Sequence, residues 1–218
     1  MKTITLISAI VLTTVYSFAQ APKSATKRDT TITTEALRNY MHSVWEDNVT
    51  LTHNIMLCMV DNQPGVDDIA NQLLENQNCL AYAIERFYGN HERRKFDRLL
   101  YANMLYSEDL MDATKKGRLA AFQKDEQKWK ENANAISVFL NKVNPYWKVN
   151  DFRALLYGQI QYYADEATAL HQKNYVMAED DYQRAYVSVE TLADMLSDGI
   201  IHQFPEKFQE FTQSYGMK

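Results

Sequence analysis

Asn48, Asn76, Asn103, Asn132 and Gln159 each interrupt an apolar helical stripe near its middle, and Tyr186 takes the same place in a sixth stripe. Counted from the bends between stripes, all six lie at similar height, so one polar layer is expected across a helical bundle. An amide side chain donates and accepts at once. Such a layer can therefore close on itself without an ionisable member and with little pH dependence between about 5 and 8. A buried amide without a partner costs ~1–3 kcal/mol. The layer persists only if its members bond one another and fix helix register, hold water, or bind something.

Other groupings are thinner. His42, Glu46 and His53 fall near one helical face, and a zinc or copper site there needs ligands from a second helix. His53, Met56 and Met59, with Cys58 beside them, are residue types that hold Cu(I), although methionines at this spacing also serve as core filler. Glu166 lies on the fifth stripe and Asp109 near the matching place on the third, but a di-metal carboxylate bundle wants Glu-x-x-His motifs and the chain has none. Glu75 and Glu131 flank the amide layer, either as a carboxylate pair or as charges on a helix shoulder. Of fourteen tyrosines, Tyr101, Tyr106, Tyr157, Tyr162, Tyr163, Tyr182 and Tyr186 crowd the central helices, where they either pack or line a cleft between hairpins. Asn48-Val49-Thr50 has the form of a glycosylation sequon on an inward-facing Asn. A Gly-rich phosphate loop, G-x-S-x-G, C-x-x-C and H-E-x-x-H are all lacking. No catalytic residue and no cofactor is assigned.

The elements that must position these groups are helices. Six Gly and four Pro in 218 residues, with abundant Ala, Leu, Glu and Gln, point to an all-α fold. Apolar residues spaced alternately by four and three predict helices over about 34–60, 66–88, 91–116, 118–143, 151–173 and 176–202, with Thr34 as the first N-cap. In the first of them the stripe is Leu37, Met41, Val44, Asn48, Leu51, Ile55 and Cys58. Pro64-Gly65, Gly89-Asn90, Gly117 and Asn144-Pro145 supply breaks. Gly199 weakens the end of the sixth helix, and the tail from Glu206 to Tyr215 is expected to add a helical turn or two. Arg98–Gly117 is echoed fifty-six residues later: Leu99-Leu100-Tyr101 recurs as Leu155-Leu156-Tyr157. That period fits one helical hairpin. The expected architecture is an up-and-down antiparallel bundle of about six helices in three repeated hairpins, one domain over 34–218.

The chain begins MKTITLISAIVLTTVYSFAQ: one lysine, an apolar run, then Ser17 and Ala19 at the −3 and −1 positions of a cleavage site. This is read as a signal peptide over 1–19, followed by a flexible leader over 20–33. Export to the periplasm or beyond is expected, with no membrane insertion after cleavage. The net charge of −5, with no basic stripe, argues against nucleic-acid partners. Cys58 and Cys79 sit at different distances from the bend at Pro64-Gly65, roughly 13 Å apart in height, too far for a disulfide. Both are expected as buried thiols.

The run Trp129–Trp147 fits W-x-x-N-A-x-x-I-x-x-F-L-x-x-x-N-P-x-W, and Gly199–Phe208 and Trp45-Glu46-Asp47 fit beside it. From about Leu37 to Phe208 the chain resembles a widespread, little-characterised bacterial family of small helical-bundle proteins, some labelled glycosyltransferases. A glycosyltransferase using nucleotide sugars needs an α/β nucleotide domain, which an all-helical chain of this size does not supply. The resemblance implies histidines in relatives where this chain has Asn48, Asn103, Gln159 and Tyr186, and with them a metal or proton-active interior. Amides are weak ligands for transition metals, so that site is expected to be absent or altered here. The leading expectation is a non-enzymatic protein that binds a small ligand or a protein partner in a cleft between hairpins. The alternative is a metal-binding or metal-dependent protein.

Overall fold

Six helices carry nearly all of the described chain: α1 (Thr34–Asp61), α2 (Val66–Tyr88), α3 (Asn90–Lys115), α4 (Leu119–Val143), α5 (Val149–His171) and α6 (Tyr175–Gln203). The computed structural model describes residues 32–209; the expected signal peptide, the leader as far as residue 31 and the tail beyond residue 209 lie outside the described residues. The helices begin and end where local chemistry allows. Thr33, one residue before the expected cap, accepts from the Ala36 N–H through its hydroxyl at 3.0 Å. Asn174 does the same for Met177 at the start of α6. Between α1 and α2 the turn needs positive φ at Asn62 (53°) and Gly65 (98°), conformations that asparagine and glycine tolerate best.

Each helix packs on the next, and α6 returns to pack on α1, which closes a ring. In addition α1, α3 and α5 touch one another. The odd-numbered helices therefore form an inner triangle, with α2, α4 and α6 outside it. This is an all-α bundle of three antiparallel hairpins, as expected. Two-residue strands β1 (Ile32–Thr33) and β2 (Phe208–Gln209) pair in parallel across the ends. The last two residues of the expected leader are thus held in register. Of the expected helical tail, the described part is a 3₁₀ turn, Pro205–Lys207, followed by β2; the rest lies outside the described residues.

Because α1 is touched by α2, α3, α5 and α6, its buried face is wider than one stripe. Trp45, Val49, Thr52 and Met56 are buried beside the predicted Leu37, Met41, Val44 and Ile55, whereas Leu51 and Cys58 are only half-buried. No disulfide forms, but Cys79 is exposed rather than buried; it lies on the outer side of α2, where its carbonyl accepts the Tyr40 hydroxyl at 2.8 Å. Gly199 is a contact site: a Cβ there would lie 1.9 Å from Nε1 of Trp147, whose indole is 1% exposed. Among the described residues no helix is long and apolar enough to cross a membrane.

Candidate functional site

Each helix of the inner triangle sends one amide toward the bundle axis. Asn48 from α1, Asn103 from α3 and Gln159 from α5 line one cavity of about 40 Å³, joined by Gln77, Trp45 and Trp129. At roughly 10–15 Å³ per water, the space takes about three waters. Asn48 Nδ2 donates to Asn76 Oδ1 at 3.0 Å, and Asn76 Nδ2 to the Val44 carbonyl at 2.9 Å. Trp129 Nε1 donates to Asn103 Oδ1 at 2.6 Å, with its ring stacked on Tyr163. Gln159 Nε2 reaches the Tyr163 hydroxyl at 3.4 Å. These bonds engage one polar atom of each inner amide and leave Asn48 Oδ1, Asn103 Nδ2 and Gln159 Oε1 to other partners. Trp45, 7% exposed, also lines the cavity, and its Nε1 is buried without a partner.

The expected six-membered layer is thereby divided. Asn76 and Asn132 stand on outer helices and tie the two arms of their hairpins, Asn132 by donating to the Leu99 carbonyl at 3.0 Å. Tyr186 is outside the layer altogether: on α6 it is half-buried, and its hydroxyl meets Glu46 of α1. The inner and outer placement of alternate helices is what separates residues of equal height.

The amides are neutral, but the interior is not. Glu166 on α5 is wholly buried and lies 2.5 Å through Oε1 from His53 Nδ1, while its Oε2 has no partner. His53 stacks on Tyr182 with ring centroids 4.1 Å apart. Burial pushes the Glu166 carboxyl above the ordinary carboxylate range, opposed by His53. A carboxylate that orients an imidazole is half of a general-base device, yet neither side chain lines the central cavity.

A second cluster sits on the seam between α1 and α6. His42 and Glu46, one turn apart on α1, face Glu190 and Asp194, one turn apart on α6. His42 Nδ1 lies 2.9 Å from Glu190 Oε2, and Nε2 lies 2.8 Å from Asp194 Oδ1. The hydrogen bond to Asp194 raises the His42 pKa, burial opposes it, and Glu190 raises it further. Arg38 pairs with Asp194 and Asp198 beside the cluster.

The expected His42–Glu46–His53 grouping is therefore split, since His53 pairs with Glu166 and α6 supplies the partners of His42. His53 is also apart from the methionines: Met56 and Met59 line a space of about 10 Å³ with Met111 and His171. Asp109, Glu75 and Glu131 are exposed, and Glu131 bonds Gln127. Of the named tyrosines, Tyr163 alone lines the central cavity. Sequence reasoning missed Trp45, Gln77, Glu190 and Asp194. The last two carry a legible signal, an i,i+4 acid pair matching His42 and Glu46, but nothing in the pattern says which helix faces α1. No family model, no curated protein and no solved structure matches the chain.

Proposed function

We propose that the chain is an exported, non-enzymatic binding protein whose site is the central cavity and whose ligand is a small, neutral, polar molecule. The observation that carries this reading is the Trp45 indole N–H, buried and lacking an acceptor on a residue that lines a cavity edged with amides. An orphaned buried donor costs ~1–3 kcal/mol, so an occupant with an acceptor is favoured there. Asn103 Nδ2 offers a further donor; Asn48 Oδ1 and Gln159 Oε1 offer acceptors. The ligand must both accept and donate. No lining residue is charged, and an ion without a counter-charge would meet a large desolvation cost. The volume limits it to about four non-hydrogen atoms, the space of about three waters, unless the helices part. The amide-for-histidine exchange implied by the resemblance fits a site turned from ionisable to neutral chemistry.

The test is a ¹H–¹⁵N spectrum of the indole and side-chain amide signals during titration with formamide and acetamide, with sodium formate as the charged counterpart. A saturable shift of the Trp45 indole and the Asn103 amide with the neutral probes is expected. The Trp147 indole, bonded to the Met195 carbonyl at 3.1 Å, serves as the internal control. A Trp45 signal that never saturates, or that follows formate alone, would overturn the proposal.

A further inference from the structure

We propose that the α1–α6 seam is a binding site for a first-row divalent transition-metal ion, held by His42 Nδ1, Glu46 and Glu190, with Asp194 fixing the imidazole from behind. The ligand atoms of these three residues lie within 4.8 Å of one another. Tetrahedral coordination at ~2.0–2.2 Å would place them about 3.4 Å apart, so side-chain adjustment of about an ångström closes the site on an ion.

The surroundings are built for this rather than merely acidic. His42 and Glu46 project one turn apart from α1, and Glu190 and Asp194 one turn apart from α6, so two antiparallel helices present paired ligands to each other. Asp194 meets Nε2 at 2.8 Å while Nδ1 faces the ligand cluster. That is the carboxylate–histidine–metal arrangement, in which an outer carboxylate sets the tautomer and ring orientation. The Tyr186 hydroxyl lies within reach of Glu46. A separate observation points to a ligand: Glu190 is 37% exposed as a side chain, yet its Oε1 is itself buried and has no partner, although its other oxygen bonds His42. Imidazole with carboxylates suits zinc, iron or nickel better than magnesium or calcium, which take oxygen ligands. The half-exposed position leaves room for water as a fourth ligand. This site shares no residue with the central cavity, so either proposal can fail alone.

The experiment uses the tag-free protein, stripped with EDTA and returned to chelator-free buffer. Calorimetric titration with zinc should give one ion per chain. Cobalt(II) should give visible bands that zinc abolishes. His42→Gln and Glu190→Gln should each weaken binding at least about tenfold, since losing even a carboxylate that only orients a ligand costs about 10–100-fold, and Asp194→Asn should weaken it with the stoichiometry kept at one. His91→Ala, at an exposed histidine away from the seam, should change nothing. Circular dichroism checks folding, and Glu190→Gln guards against a misfolded His42 variant. Absence of saturable binding, or binding that survives Glu190→Gln and His42→Gln, would overturn the proposal.

Discussion

Asn103 is held through one end: its Oδ1 takes the Trp129 indole N–H at 2.6 Å. Replacing it with leucine would leave two indole donors, those of Trp129 and Trp45, without acceptors in one cavity. Asn103→Leu is predicted to cost ~1–3 kcal/mol, read as a lower urea midpoint with unchanged slope. A neutral or more stable variant would show that these donors do not depend on Asn103. The three inner amides were legible because a polar residue inside a regular apolar stripe stands out. The rest was hidden at this scale for a geometric reason. Periodicity places Glu166 on a buried stripe but says nothing of its partner, His53, 113 residues away on another helix. Glu190 and Asp194 were invisible as partners of His42 for the same reason.

At the scale of elements, the four helix boundaries set by Pro, Gly and Asn were readable within a residue or two, because these residues act on their own backbone. What the breaks pack against was not readable. Gly199 reads as a weak point in α6, but its role is to admit the Trp147 ring from the loop after α4. Around that contact the loop after α4 meets the end of α6. Tyr146 lies on His202, Gln203 Nε2 donates to the Val143 carbonyl at 3.2 Å, and Asn144 Nδ2 reaches the Tyr88 hydroxyl at 2.9 Å. Gly199→Ala would gain ~1 kcal/mol of helix propensity while driving a methyl into the indole at 1.9 Å. Overpacking costs ~1–3 kcal/mol or more, and the Trp147–Met195 bond is put at risk. A net destabilisation is predicted, visible as a lower Tm together with loss of near-ultraviolet tryptophan dichroism. A raised Tm would show that the ring moves aside freely.

For the whole molecule, Glu166, Asp181 and His42 pull in one direction. Burial raises the pKa of Glu166 and of Asp181, and the hydrogen bond to Asp194 raises that of His42. In each case the folded chain binds its proton more tightly than the unfolded chain, so stability declines as pH rises. The His42 contribution is complete below an ordinary histidine pKa of about 6.5 and fades as pH passes its raised folded value. Those of Glu166 and Asp181 fade above the ordinary carboxylate range of about 4. Glu92 and Asp112 are lowered by Lys95 and Lys116; as partly exposed surface pairs they matter little, and only in acid. Scanning calorimetry of the metal-free protein should therefore show Tm falling from about pH 5 to about pH 8, more shallowly in Glu166→Gln. A flat profile would mean that the interior relaxes to solvate Glu166.

The closure of the ring has a consequence in time. Contacts within each hairpin are local in the chain, whereas the His42–Glu190 contact spans 148 residues. Loop-closure entropy makes such a joint late, so the transition state for folding should have its hairpins in place and α1 still parted from α6. Interactions absent from the transition state govern unfolding alone. The seam is then a latch: His42→Gln should steepen escape from the native state in the unfolding limb of the chevron and leave the refolding limb where it was, and any ion seated there would lengthen the life of the folded protein without hastening its birth.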